Sequence, residues 1–540
     1  MTEHRQVLQS ASTITLATVI SRILGYLRDQ RITLLLGTSV AADSFILAFR
    51  IPNLLRRLIG EGALSASFIP VFTGYLAGKP KREVWEFADR AFWTLLLILV
   101  PIAALGVIFS RQVIYMFTLF GANRLDWGFA VYLNRIIFPY VIFIGLAALA
   151  MGILNSLRVF GLPASTPIVF NLTLILFSTA VIYRPVMNWA PPAYRNPAVA
   201  LAVGVLLGGA LQFLVQVPAL VRRGMRFHFR PSLNDQGVRA VGRLMLPAFL
   251  GAGLYQINFF INTIFAMSPK MPAGSVTSLY VADRVVELVL GSFAIAISTA
   301  LLPTLSQQAH EKRFSDMSAT FGFALRVVSF VTLPAAAGLI LLRQPIVRVL
   351  FQHGRFEASS TALTLRPLLF YSLGLPAFAA VKLLVPVFYS LHDTVTPVRV
   401  AAVALGVNIA GNLIFLHWLW RSLSNGGPAL ATSLAAYVNI GALFVIFRRR
   451  FGRVGGWALL GSFARTVACV FAMSVACVGM LRWVNFDSVH RVLVQAGMLS
   501  GMIFVSMGIY LLAARALGCD ELDEVIGYVR NMAGARGSAA

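Results

Sequence analysis

The sequence predicts an all-α polytopic membrane protein of about fourteen transmembrane helices, arranged as two pseudo-symmetric six-helix lobes followed by a C-terminal helix pair. Three observations predict it. Of the 540 residues, 58% are hydrophobic and only 12% charged, with a mean hydropathy of +0.79, whereas a typical soluble domain carries about 25% charged residues. Apolar segments of spanning length run almost end to end and leave no room for a soluble domain. Finally, the chain repeats itself at a spacing that covers six of those segments.

A spanning helix needs roughly 20 mostly apolar residues. Such segments fall near 10–36, 41–76, 90–118, 128–157, 163–183, 197–221, 238–266, 276–308, 319–342, 362–391, 396–420, 428–447, 457–482 and 490–516. The first is too long for the core of a signal peptide and does not lead to a small-residue cleavage site, so no cleavable signal is expected. The second is too long to cross a hydrocarbon core of ~30 Å as one straight helix rising ~1.5 Å per residue. Pro52, Gly60 and Gly62 predict that it is bent or irregular, which membranes tolerate only beside protein or a wet cavity.

The loops predict orientation. Lys79, Lys81 and Arg82, then Arg222, Arg223, Arg226 and Arg230, then Lys312 and Arg313, then Arg448, Arg449, Arg450 and Arg453 all fall in alternate loops. The intervening loops, such as 37–40 and 267–275, are nearly free of Lys and Arg. Arg348 and Arg355 are the clearest exceptions. Because cytoplasmic loops carry the excess of basic residues, both termini are expected in the cytoplasm. The same rule accounts for the net charge of +25 and the pI of about 11.0 without any nucleic-acid partner. Cys469, Cys477 and Cys519 show no pairing or metal-binding spacing, and the first two lie in an apolar helix, where inert packing is expected.

The repeat has two anchors. Ala63, Ser65 and Pro70 match Ala296, Ser298 and Pro303 at an offset of 233 residues, and Ser156, Leu157 and Pro163 match Ser390, Leu391 and Pro397 at 234. An offset covering an even number of spans predicts a parallel repeat, with a substrate site where the repeats meet. The expected layout is an N-lobe over 1–221, a cytoplasmic linker over 222–242 and a C-lobe over 243–447. An added helix pair over 448–516 and a cytoplasmic tail over 517–540 complete it.

Charge inside the first two segments is the strongest functional signal. Arg22, Arg28, Asp29, Asp43, Arg50, Arg56, Arg57 and Glu61 lie in sequence apolar enough for a bilayer. Each charge near the bilayer centre costs at least ~2.5–3.5 kcal/mol, so such groups normally face a protein interior or a wet cavity. Arg22 and Asp29 are seven residues apart, as are Asp43, Arg50 and Arg57, which places each set on one helix face. In segment eight, Asp283 and Glu287 form an i,i+4 pair beside Arg284. A cationic cavity rich in Arg suits an anionic cargo, a diphosphate above all, because the guanidinium fork binds phosphate oxygens bidentately and stays charged.

Structural readings stand beside these. Arg56 and Arg57 either contact the ligand or pair with Glu61 to hold a helix bend. Arg28 and Asp29 either line the cavity or snorkel at an interface. Asp283 and Glu287 fit structural partners of arginines better than ligand contacts. Lys382, deep in segment ten, is either a buried ion-pair partner or an internal cation in place of a bound metal ion. His392 and Asp393 read as a turn before Pro397. No G-x-x-x-x-G-K-[ST] loop, HExxH motif, paired Cys/His metal set or catalytic dyad is found, so a transporter is expected rather than an ATPase or another enzyme.

The run SRILGYLRDQRITLLLGTSVAADSFILAFRIPNLLRRLIGEGALSASFIPVF resembles the N-terminal signature of the MurJ (MviN) lipid II flippases of the multidrug/oligosaccharidyl-lipid/polysaccharide exporter superfamily. SLYVADRVVEL, VLFQHGRFEASST and FYSLHDTVTPVRVA also resemble motifs of that family. The resemblance implies fourteen helices and a cargo of undecaprenyl-diphosphate-linked disaccharide-pentapeptide, flipped across the bacterial inner membrane for peptidoglycan synthesis. It implies substrate-binding roles for Arg22, Arg28, Arg56 and Arg284, a functional acid at Asp43 and a required cation at Arg50. It also implies a lipid-tail groove on the last two helices, and some members carry a sodium site. No cofactor is expected beyond dependence on the membrane potential or a coupling ion. The expected partners are lipid II, membrane lipids and the cell-wall synthesis machinery. The rival readings are a flippase for another polyprenyl-diphosphate-linked oligosaccharide and a cation-coupled multidrug exporter.

Overall fold

Every apolar segment read from the sequence coincides with one or more α-helices, and no strand occurs among the described residues. The computed structural model describes residues 3–58, 64–119, 125–391, 393–452, 454–484, 486, 489, 491–524 and 527, with side chains for all of these except 3–12, 57–58, 65–66, 246–255 and 292–303. Among the described residues, nine helical spans are long and apolar enough to cross a membrane. A bent pair makes a tenth if counted as one span. The chain is a multi-pass membrane protein.

The helices group into two compact units. The first comprises residues 1–277 together with the separate segment His353–Glu357. It contains α1 (Glu3–Leu36), α2 (Val40–Leu58), α3 (Leu64–Gly78), α4 (Lys81–Ile108), α5 (Ser110–Met116) and α6 (Trp127–Ile137). It continues with α7 (Tyr140–Ser156), α8 (Gly161–Phe177), α9 (Ala180–Trp189), α10 (Pro197–Leu214), α11 (Val217–Arg222) and α12 (Gln236–Ala266). Helix α13 (Ser275–His310) begins in the first unit and runs into the second. The second unit adds α14 (Phe314–Leu341), α15 (Arg343–Phe351), α16 (Ala358–Ser390), α17 (Val395–Trp418), α18 (Trp420–Leu423), α19 (Gly427–Phe451), α20 (Gly456–Trp483) and α21 (Val492–Ala516).

Several boundaries differ from expectation for local reasons. The long second segment is two helices, α2 and α3, with Pro52 buried inside α2 rather than at its end. Gly60 and Gly62, where the break was expected, lie outside the described residues. The fifth segment is broken between α8 and α9, which meet at 75°. The linker expected over 222–242 is non-helical only over 223–235, because the Asp235 carboxylate accepts from Val238 N at 3.1 Å and starts α12 at Gln236.

Aromatic stacking holds the middle of the first unit. Phe68 of α3 stacks on Phe72 at 5.3 Å and on Phe87 of α4 at 5.7 Å, and Leu149, Ile153 and Leu154 of α7 close the cluster. Lipid tails are as apolar as these side chains, so close packing, rather than escape from water, is what holds such helices together. In the second unit Ser433 and Tyr437 of α19 donate to Phe370 O at 2.7 Å and Leu373 O at 2.8 Å, fastening α19 to α16. Phe330, Cys469, Met473 and Tyr510 join α14, α20 and α21, with Tyr510 donating to Phe330 O at 2.6 Å. All three cysteines are free and buried. The start of the expected tail belongs to this packing: Cys519 and Leu522 are buried, and Glu521 pairs with Arg326 of α14 at 3.6 Å.

Asp393 forms the expected turn and also caps α17. Its carboxylate accepts from Thr396 N at 2.9 Å and Thr396 Oγ1 at 2.7 Å, and Arg450 at the end of α19 pairs with it. Burial pushes this carboxyl up, but the Thr396 and Arg450 contacts outweigh it and hold it at about 2. That lies below the ordinary value of about 3.9, so the stabilisation is complete above the ordinary value and is lost as pH falls through the folded one. Asp393→Ala should therefore cost about 1 kcal/mol at neutral pH. In thermal unfolding of the purified protein, the gap to the unaltered chain should persist at pH 5 and narrow only below roughly pH 4. An equal melting temperature at pH 7 would remove the cap.

Candidate functional site

In the first unit, Asp29 is 4% exposed, which rules out the snorkelling reading for it. Arg28 donates to Asp29 Oδ1 through Nε at 2.9 Å and Nη2 at 2.7 Å, and through Nη1 to Asn171 Oδ1 of α8 at 2.9 Å. Asn171 in turn donates to Ser21 O at 3.0 Å, and the Phe170 ring centroid lies 5.9 Å from the guanidinium carbon. Arg28 is thus aimed by an acid on its own helix and an amide from another. A buried ion pair needs such additional hydrogen bonds, because desolvation otherwise outweighs the attraction. Arg22, beside Ser21 on the same helix, is exposed.

Asp43 does something the sequence did not signal. Its carboxylate is buried and accepts from Gly274 N at 2.8 Å, Thr277 N at 2.8 Å and Thr277 Oγ1 at 2.7 Å. It caps the first turn of α13 from a different helix, where unsatisfied N–H groups and the helix dipole both favour an anion. Gly274 has φ +85°, and a Cβ there would lie 2.2 Å from Thr38 O. The His353–Glu357 segment approaches the same α1–α2 corner: Arg355 N donates to Leu34 O at 2.9 Å, and a Cβ on Gly354 (φ +60°) would lie 2.6 Å from that oxygen. Backbone thus meets backbone from three distant parts of the chain at one end of the unit.

Arg50 donates to the Thr263 hydroxyl of α12, so Asp43 and Arg50, seven residues apart, both engage the α12–α13 hairpin. Arg56 donates to Asn53 Oδ1 at 2.8 Å, one turn earlier. The side chain of Arg57 and all of Glu61 lie outside the described residues. In the second unit, Arg284 pairs with Glu287 one turn on, and its guanidinium carbon lies 5.0 Å from the Tyr280 ring centroid. Glu287 is therefore an arginine partner, as expected of it, and Asp283 beside it is half-buried. Lys382 is half-buried within α16. Among the described residues no group of three or more His, Cys, Asp or Glu side chains is placed to hold a metal ion.

Sequence reasoning missed Asn171, Thr263, Gly274 and Thr277. Only Asn171 carried a signal, as an amide inside an apolar span that must find a partner.

Comparison with known proteins agrees over most of the length. A family model described as lipid II flippase MurJ matches residues 32–497. A probable lipid II flippase MurJ of Vibrio cholerae is 36% identical over 455 residues, covering 82% of this chain and 83% of that protein. One from Bdellovibrio bacteriovorus is 32% identical and covers 97% of both. Among solved structures, a lipid II flippase MurJ in an inward closed conformation superposes with a TM-score of 0.74 at 25% identity, covering 93% of this chain and 99% of that one.

The Asp43 cap can be tested by itself. Asp43→Ala leaves buried donors of Gly274 and Thr277 without an acceptor, at roughly 1–3 kcal/mol each. Thermal unfolding in detergent should show a loss of about 3 kcal/mol, with Asp43→Asn intermediate because one oxygen still accepts. An Asp43→Ala protein as stable as the unaltered chain would show that the cap contributes nothing.

Proposed function

The chain belongs to the lipid II flippase MurJ family, and from that premise we propose how it moves its cargo. The cargo is undecaprenyl-diphosphate-linked disaccharide-pentapeptide, carried from the inner to the outer leaflet of the cytoplasmic membrane. The reading rests above all on the Arg28–Asp29–Asn171 cluster, an oriented arginine inside an apolar span. The reading takes the chain to have fourteen spanning helices, in two six-helix lobes and a terminal pair, with both termini cytoplasmic.

Arg22, Arg28 and Arg284 grip the diphosphate, with Arg50 and Arg56 adding positive potential, while the polyprenyl tail stays in a groove on α20 and α21. The diphosphate offers Arg28 a second anion beside Asp29 and offers Arg284 one beside Glu287. Closing the cavity around unmatched arginines would strand positive charge in a low dielectric, so occupancy by the dianionic group permits closure. Rocking of the lobes then exposes the headgroup outside. The empty cationic cavity resets under the membrane potential, which contributes up to ~2.3 kcal/mol per charge per 100 mV. The cell-wall synthesis machinery takes the product.

Outer-leaflet lipid II should be measured in a bacterium depleted of its own flippase and expressing this chain or Arg284→Ala at matched abundance. Restoration by the unaltered chain alone supports both the cargo and the grip. Failure of both despite correct insertion shifts the reading to another polyprenyl-diphosphate-linked glycan, and restoration by both removes Arg284 from the mechanism. In the same assay Asn171→Leu should lower transport on the order of tenfold, the size of one hydrogen bond to a charged group. Unchanged transport would mean that Arg28 needs no aiming.

A further inference from the structure

We propose that the segment joining α11 to α12 is a docking strip for anionic phospholipid headgroups of the membrane. The inference rests on the proposed cytoplasmic placement of this segment and concerns bulk lipid, not the transported molecule.

The strip is built rather than loose. Residues 223–235 are strapped along α4: the buried Asp89 carboxylate accepts from His228 N at 3.1 and 3.2 Å, and Thr94 Oγ1 accepts from Ser232 N at 3.0 Å. Arg90 holds Asp235 at 2.8 Å, and Phe227 packs edge-on against Phe92 at 5.0 Å. With its inner side committed to α4, the strap turns the rest outward. Arg222 at the end of α11 and Arg223, Arg226 and Arg230 of the strap are exposed; Phe229 meets Trp93 of α4 edge-on at 5.1 Å yet stays 69% exposed, and Leu233 is 62% exposed.

The charges at this end of the unit divide into two kinds. Lys79, Arg82 and Arg90 are each paired with an acid, Glu83, Glu86 and Asp235. Among the described residues, no carboxylate lies within ion-pair distance of Arg222, Arg223 or Arg226. Exposed, uncompensated guanidinium groups on a held backbone, around a largely exposed aromatic and an exposed aliphatic side chain, match a leaflet surface, with phosphate outside and acyl chain just beneath. An acidic protein surface would meet the charge but would not need both apolar tips in the open.

The test is native mass spectrometry of the full chain released from nanodiscs of phosphatidylglycerol mixed with phosphatidylethanolamine. The unaltered protein should retain phosphatidylglycerol preferentially, and less of it as salt rises. Arg222→Gln/Arg223→Gln/Arg226→Gln should lower that retention on the order of tenfold, while Lys at the same three positions should keep most of it. Phe229→Ser should produce a smaller loss. Equal retention by the Gln variant overturns the proposal and leaves these arginines to an acidic partner or to topology alone. Lipid II transport measured on the same proteins keeps the two readings apart: an unaltered chain that exports no lipid II but retains phosphatidylglycerol through these arginines fails only the transport reading.

Discussion

A carboxylate taken out of water must be given hydrogen-bond donors or a counter-charge, and this architecture follows from where its acids are answered. Asp43, Asp126, Asp235 and Asp393 accept backbone N–H groups at the starts of α13, α6, α12 and α17, and Asp89 accepts one from the strap along α4. Only Asp43 and Asp89 of these are buried, and there the bonded donors and the carboxylate satisfy each other away from water; Asp235 and Asp393 are half-buried and Asp126 is an exposed cap. Asp29 is answered by Arg28, and Asp235 and Asp393 add Arg90 and Arg450 to their backbone donors. With 20 acids against 45 bases, acids committed to backbone donors leave most of the cations without a fixed counter-ion. That surplus is the physical basis on which both the proposed cationic transport site and the proposed basic strip rest.

The Asp43 cap also ties together parts of the chain that lie far apart in sequence. Its carboxylate links α2 to the α12–α13 corner through two backbone donors and the Thr277 hydroxyl, and Arg50 adds the Thr263 hydroxyl of α12. The backbone contacts of Gly274 with Thr38 and of Arg355 with Leu34 also join distant parts of the chain.

Arginine serves two environments here, and the neighbours separate them. Within α1, α2 and α13, Arg28, Arg50 and Arg284 are each oriented by a polar group of the same unit. At the end of α11 and on the strap, Arg222, Arg223 and Arg226 are exposed, with no carboxylate at ion-pair distance among the described residues. The first arrangement holds a charge ready at low dielectric. The second offers it to whatever anionic surface lies alongside.

Much of this was legible in the sequence. Composition and segment length determined the class and the positions of the helices, because a bilayer leaves few ways to satisfy a backbone. The concentration of Arg and Asp in the first two segments marked charges that must find partners, because such charge is too costly there to be incidental. Periodicity even placed Asp43 and Arg50 on one face. What only the tertiary structure decided was the partner of each charge: Asn171, 143 residues from Arg28, and Thr277, 234 residues from Asp43. Helical spacing tells which way a side chain points and carries no information about what it meets. Hydrogen-bond satisfaction belongs to pairs, and neutral partners such as Thr263, Thr277 and a glycine N–H leave no mark in a charge pattern. For that reason Asp43 reads in sequence as one more ion of a cavity, and in the fold it is the cap of a distant helix.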